Sequence, residues 1–307
     1  MLAVGGGPGC PIRTAEFPEV FAIFGPTASG KSAVAEALAD RLGTEVVSAD
    51  ALQVYRGLEI LTNQPDRSTR LVAMRALSET MSVGEYARLA HEAVDELVAT
   101  RGSAVVAGGT GLYLRAALVD LELPPAPPPG ARESAEAAYD DDPDAAHARL
   151  AQLDPRAATV VHVTDRRRVV RALELAELGW SLAPGEDRLW SEETRRPTLV
   201  AGLDVARDAL ESRLRERAET MLTRGVVDEV RRAREAGVSR TAEQALGLDE
   251  LASLPPDEAL ERIVVRTRRY AAYQRKWMRR IPGIVMIDAD RPPDEVADAI
   301  LEVARAR

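Results

Sequence analysis

Lysine is almost missing from this chain: of its 40 basic residues 38 are arginine, and the two lysines are Lys31 and Lys276. There is one cysteine, Cys10, which excludes an internal disulfide framework and suits a reducing cytoplasm, the expected location. No apolar run of about eighteen residues exists, so no membrane span is expected. The opening "MLAVGGGPGCPIRTAEFP" has neither a basic n-region nor a proper apolar h-region; residues 1–17 read as a flexible leader, not a signal peptide. The three histidines, His91, His147 and His162, stand far apart and read as solvated or structural groups. No internal repeat is visible. A net charge of −9 speaks against nucleic acid for the chain as a whole, yet the arginines are unevenly placed.

The chain that so seldom uses lysine puts one inside "FGPTASGKSAVAEAL", residues 24–38. The stretch fits G-x-x-x-x-G-K-[ST], with Gly25, Gly30, Lys31 and Ser32 at the fixed positions. A short apolar run, 20–25, precedes it, and helical spacing follows over 31–43. That strand–loop–helix context is what a phosphate loop requires. Backbone N–H groups of Gly25, Pro26, Thr27, Ala28, Ser29, Gly30, Lys31 and Ser32, proline excepted, encircle a diphosphate in such a loop. Lys31 neutralises its terminal phosphate and the Ser32 hydroxyl helps hold Mg²⁺.

Further strands are expected at 44–50, 103–107, 198–206 and 284–289, alternating with helices at 82–102, 207–237 (broken near Gly225) and 258–283. Ser82 is the expected N-cap of the first, with Glu85 three residues on. Alternation of this kind implies parallel strands. A proline-rich connector, "LELPPAPPPGAR" (121–132), leads into a helical, strand-free stretch. The expected fold is α/β: a P-loop NTPase-like core (18–120 and 198–307), a parallel sheet flanked by helices, plus a helical insertion domain (121–197).

"VSADALQVYRG" places Asp50 at the carboxyl end of the second strand, the edge where ligands bind in open α/β sheets. There it serves as a Mg²⁺ ligand, a general base or a helix cap. Gln53 and Tyr55 follow, one able to hydrogen-bond a base edge and the other to stack or donate. "VVAGGTGLYLRAAL" (105–118) brings glycines and Thr110 beside the phosphate loop. No Walker B carboxylate follows its strand, which ends in Ala-Gly-Gly. "RTRRYAAYQRKWMRR" (266–280) holds seven basic residues with Tyr270, Tyr273 and Trp277 on one stripe; the aromatics are expected to pack on the core and the arginines to face phosphate. "DRRRVVR" (165–171) is expected to turn arginines outward and Val169, Val170 and Leu173 inward.

"GPTASGKS", "SADALQVYRG", "AGGTGLYLRA", "DRRRVVRALEL" and "RTRRYAAYQRKWMRR" occur in an order and spacing that resembles the tRNA dimethylallyltransferases, over about residues 18–290. The resemblance implies transfer of a dimethylallyl group from dimethylallyl diphosphate to N6 of adenosine 37, next to the anticodon, with release of pyrophosphate. It implies Mg²⁺ as cofactor and the tRNA anticodon loop as partner. On matching positions it makes Asp50 the general base, with Thr110 and Lys31 at the reacting groups. It puts tRNA contacts at Asp50, Ala51, Leu52, Gln53, Thr110, Arg132, Arg167, Arg168, Arg171, Gln244 and Gly247. No membrane and no obligate protein partner are implied, and a monomer is the expectation. The chain departs from the family's usual pattern at Ala51, Glu59, Leu61, Gln64 and Leu248, and its 66–80 stretch is short. The competing readings are a P-loop small-molecule kinase, an adenylate isopentenyltransferase acting on free nucleotide, and a non-catalytic RNA-binding switch.

Overall fold

Along the first strand Val20, Ala22 and Phe24 pack to one side and Phe21 and Ile23 to the other, all fully or nearly buried. A strand apolar on both faces belongs at the centre of a parallel sheet covered by helices. The computed structural model describes residues 17–124, 127–183 and 188–307. In chain order it shows β1 (Val20–Phe24), α1 (Lys31–Leu42), β2 (Val46–Ser48), α2 (Val83–Arg101), β3 (Ala104–Gly108) and α3 (Gly111–Leu118). Then come α4 (Ala131–Asp141), α5 (Pro143–Leu153), α6 (Pro155–Val160) and α7 (Arg166–Ala176). The chain closes with β4 (Thr198–Asp204), α8 (Arg207–Thr223), α9 (Val226–Ala236), α10 (Leu248–Ser253), α11 (Pro256–Met278), β5 (Val285–Asp288) and α12 (Pro293–Ala306). All five expected strands are present. The expected leader lies outside the described residues except for Phe17, whose ring sits 5.7 Å from that of Phe21.

The sheet order is β2-β3-β1-β4-β5, every pair parallel. Phe24 is level with Gly108 on one side and Gly202 on the other, so the exits of β1 and β3 lie side by side. The first two crossover helices start at residues suited to the task. Gly30, at φ 84°, opens α1 in the left-handed region, which favours glycine. Ser82 caps α2, its Oγ accepting from Glu85 N at 3.1 Å. The acid of that expected pair is engaged elsewhere, in an ion pair with Arg75.

Helices α4–α7 pack around an apolar cluster of their own, with Leu150, Val169, Val170 and Leu173 at its centre. Arg115, fully buried on α3, ties the chain returning from these helices to the sheet: it donates to the carbonyls of Leu189 and Ser191, each at 2.7 Å. Among the described residues no helix is long and apolar enough to cross a membrane.

Candidate active site

Two close approaches fix the phosphate loop. A Cβ on Gly25 would stand 2.7 Å from Ser29 Oγ and 3.1 Å from Leu203 Cβ, so a larger residue at the loop's entrance would have to displace its neighbours. Lys31 folds back to donate to the Pro26 carbonyl at 2.7 Å. Ser29 Oγ is buried without a hydrogen-bond partner. An orphaned buried hydroxyl is costly unless a ligand supplies the missing partner.

Asp50 follows β2, and the neighbouring strand holds it there. Ala49 N donates to Ala107 O at 2.7 Å, and Ala49 O lies so near Gly108 that any Cβ there would meet it at 2.0 Å. Glycine at the end of β3 is therefore a packing requirement, not a ligand contact. The Asp50 carboxylate accepts from Leu52 N at 3.0 Å, and the Thr110 hydroxyl accepts from Ala51 N at 3.3 Å. The Asp50 segment and the Thr110 segment are thus one connected unit.

Asp50 opens onto a cavity of about 510 Å³, whose lining includes polar Thr27, Lys31, Ser32 and Arg217 and apolar Leu61, Met221 and Ile263. Asp50 is the sole carboxylate on its wall among the described residues. Burial pushes the Lys31 ammonium down to about 8; the negative Asp50 opposes that shift and Arg217 adds to it. Burial likewise lowers Arg217, again against the pull of Asp50. Lys31, Arg213, Arg217 and Arg224 against the single carboxylate of Asp50 leave the cavity wall positive, a setting that favours a polyanionic guest. Tyr270 of α11 also lines the cavity, its phenol pushed up to about 12 by burial and next by the Asp50 charge.

Gln274, one helical turn beyond Tyr270, is buried and spans the two glycine-rich segments. Its Oε1 accepts from Thr27 N at 2.8 Å and its Nε2 donates to Gly109 O at 2.9 Å. Sequence reading missed Gln274 and Arg217. A glutamine amid arginines carries no periodic signal, and one arginine among 38 carries none by composition. It assigned Tyr270 to the core stripe, whereas the side chain turns to the cavity.

Other expectations are corrected by packing. Tyr55 stacks on no base: it is fully buried, with its hydroxyl 2.6 Å from Thr241 Oγ1. Tyr273 does not pack on the core either, being 53% exposed. Trp277 does pack, against Gly111 and the ring of Trp190 at 4.9 Å. The Gln53 amide is occupied, accepting from Ser48 Oγ at 2.9 Å and donating to Asn63 O at 3.0 Å, although the residue lines the cavity. Gly247 is buried at φ 99° beneath Leu61 and Ile263, so it shapes the apolar wall, while Gln244 is exposed nearby.

The arginines divide. Arg132 and Arg171 both pair with Glu174, a carboxylate 1% exposed, and Arg132 also with Glu136. Arg167 and Arg168 are exposed on α7 and hold no ion pair among the described residues. Along α11, Arg266 and Arg268 pair with Glu250 and Glu211, and just past its end Arg280 stacks 3.8 Å over Trp190. Arg269, Lys276 and Arg279 are exposed and hold no ion pair among the described residues. His91 and His147 each meet a backbone carbonyl at 2.9 Å, while His162 is exposed and bonds the nearby Thr164 hydroxyl. The described residues contain no cluster of three or more His, Cys, Asp or Glu suited to a metal ion.

The family model described as IPP transferase matches residues 53–281. A tRNA dimethylallyltransferase of Acidothermus cellulolyticus is 40% identical, across 96% of this chain and 94% of the relative. That of Streptomyces coelicolor is 40% identical across 87% and 89%. Among solved structures, the full-length tRNA isopentenylpyrophosphate transferase of Bacillus halodurans superposes with a TM-score of 0.66 at 29% identity, over 94% of this chain and 97% of its own. A eukaryotic dimethylallyltransferase acting on tRNA superposes at 0.75 and 26% identity, over 94% and 79%.

Proposed function

The chain belongs to the IPP transferase family, prenyl-group transferases whose relatives carry the name tRNA dimethylallyltransferase, and from that premise we propose the reaction of its cavity. It transfers a dimethylallyl group from dimethylallyl diphosphate to N6 of adenosine 37 beside the tRNA anticodon, releasing pyrophosphate. The observation that carries this reading is the meeting of one carboxylate, Asp50, with the cations Lys31 and Arg217 in one cavity that Leu61, Met221 and Ile263 also line.

Adenine N6 is a weak nucleophile because its lone pair is delocalised into the ring. Asp50 accepts the N6 proton as the new C–N bond forms, an aid worth about 10²–10⁴-fold. The C–O bond of the donor breaks as it does so, and negative charge grows on the departing diphosphate. The loop amides, Lys31 and Arg217 are the donors that would meet that charge, Lys31 on release from the Pro26 carbonyl, and one preorganised donor of this kind is worth about 3 kcal/mol. The unpaired Ser29 hydroxyl and the Gly25 cradle suit the phosphate oxygens. Leu61, Met221 and Ile263 supply the dry wall for the prenyl methyls.

The Ser32 hydroxyl, an oxygen donor on the cavity wall, fits a hard divalent cation shared with the diphosphate. When bound, Mg²⁺ would neutralise part of the leaving-group charge. The exposed Arg167 and Arg168 of α7 and Arg269, Lys276 and Arg279 around α11 are the side chains placed to meet RNA phosphate. Lifting the adenine from its stack costs a few kcal/mol, which an anticodon loop keeps low.

The test is incubation with labelled dimethylallyl diphosphate and bulk tRNA, without ATP, followed by nucleoside analysis. Label in N6-prenylated adenosine at position 37 is expected. Labelling of free adenylate only, or phosphorylation that needs ATP, would overturn the reading.

A further inference from the structure

Glu229, on α9, is 3% exposed and takes no part in the chemistry described above, yet its carboxylate is fully engaged. Oε1 accepts from Ile60 N at 2.7 Å and Oε2 from Leu61 N at 2.8 Å, across 168 positions of sequence. A buried carboxylate is costly, and these two amide donors are what offset the cost. An acid that spends both oxygens on consecutive amides fixes the backbone at that point. The residue so fixed belongs to the cavity wall: Leu61 is 3% exposed and lines it. Its side chain is seated as closely as its amide. Leu61 Cδ1 lies 3.0 Å from where a Cβ on Gly247 would stand, and Ile263 Cδ1 lies 3.1 Å from the same point. The loop is also bonded to the segment that bears Asp50. Gln53 Nε2 donates to Asn63 O at 3.0 Å, and Gln53 Oε1 accepts at 2.9 Å from the hydroxyl of Ser48, two residues before Asp50. Hydrogen bonds, and not the shared cavity alone, therefore tie the position of Leu61 to that of Asp50.

We propose that Glu229 is a positioning residue for the prenyl donor: by holding the Leu61 amide it sets the apolar wall on which the dimethylallyl group rests. This rests on the reaction proposed above. Donor affinity has two sources, the diphosphate and the hydrocarbon, and Glu229 governs the second. Its carboxylate bonds to the 60–61 backbone and to no residue of the phosphate loop among the described residues. A Leu61 free to shift would leave a gap beside the prenyl methyls, and atoms facing a gap forfeit their dispersion contacts. The diphosphate grip, held by other residues, would be untouched.

The experiment measures, by calorimetry on the full chain, the Kd of dimethylallyl diphosphate and that of inorganic pyrophosphate. Glu229→Gln keeps the shape of the side chain but sets an amide nitrogen against one of the two N–H groups, so one bond is lost. It is expected to weaken dimethylallyl diphosphate by about tenfold, the low end of what a methylene-sized misfit costs in an apolar pocket, with pyrophosphate unchanged. Leu61→Ala is expected to show the same split. The double variant is expected to bind the donor as Leu61→Ala does, because the pin has nothing left to hold. Equal weakening of both ligands by Glu229→Gln, or of neither, overturns the assignment. So does a Leu61→Ala protein without the split, or a double variant in which the two losses multiply. In the unaltered protein, hydrogen exchange at the Ile60 and Leu61 amides is expected to slow more with dimethylallyl diphosphate than with pyrophosphate. Equal protection by the two ligands overturns the assignment without any variant. Failure of the unaltered protein to bind dimethylallyl diphosphate overturns the underlying reaction instead.

Discussion

Gln274 Oε1 accepts a hydrogen bond from the amide of Thr27 at 2.8 Å, joining residues 247 positions apart. Its amide nitrogen, at the same time, satisfies Gly109 O. One side chain thus holds the phosphate loop, the exit of β3 and α11 in fixed relation. Gln274→Leu leaves Thr27 N and Gly109 O unpaired, each worth about 1–3 kcal/mol when buried. A lower melting temperature and weaker pyrophosphate binding are expected, measured by calorimetry; a variant that binds pyrophosphate as before would show that the loop holds its shape without the clamp.

Lys31 illustrates a stability conflict. Its ammonium ordinarily loses its proton near 10.5 but does so at about 8 in the fold, chiefly because it is buried. Between those values the unfolded chain holds more protons, so stability rises with pH across the window. The penalty is fully present below about pH 8 and gone near 10.5. Lys31→Met is expected to be more stable than the parent at neutral pH, with the difference vanishing towards pH 10.5, by denaturant titration at several pH values. Its turnover should fall by about 10²-fold or more. Pyrophosphate binding above about pH 8 should take up a proton, seen as buffer-dependent heats.

Asp50→Asn keeps the shape of the carboxylate and its acceptor oxygen for Leu52 N, but not its basicity. Single-turnover prenyl transfer is expected to slow by about 10²–10⁴-fold while tRNA affinity holds. A variant impaired only in its tRNA Kd would make Asp50 a binding group.

The arginines of the α4–α7 helices should separate into two classes. Arg167→Ala and Arg168→Ala are expected to leave the melting temperature unchanged. Each should reduce the log–log salt slope of tRNA binding by about 0.7, the value for one single-strand phosphate. Arg132→Ala should instead destabilise by about 1–3 kcal/mol, because it strips a partner from the buried Glu174. Filter binding across a salt series, alongside thermal melts, distinguishes them.

The strands, the phosphate loop and Asp50 were legible in the sequence because each leaves a local signature. An apolar run before G-x-x-x-x-G-K-S, or a carboxylate just past a strand, needs no knowledge of distant residues. Gln274 and Arg217 were not legible, since their partners lie across the chain and one arginine looks like another. Tyr55 misled because a tyrosine just past a strand-end aspartate reads as a base platform, and only tertiary packing shows that Thr241 claims its hydroxyl. The stripe at 270, 273 and 277 had helical spacing, but its three members face three environments: cavity, solvent and the packing against Gly111. Periodicity finds a face without saying what covers it.

The strand order bears on synthesis. β1 lies between β3 and β4, and β4 begins at Thr198, after helices α4–α7 have been made. While that stretch emerges from the ribosome, β1 has one neighbour and one bare edge, Val20 to Phe24, apolar on both faces. An unpaired apolar edge is a template for wrong partners. The loop is not clamped until Gln274 has been translated, so the newborn chain passes through an interval in which its most adhesive strand is exposed and its site is unformed. Expression yield, more than the finished protein's stability, is where substitutions between 121 and 197 should first be felt.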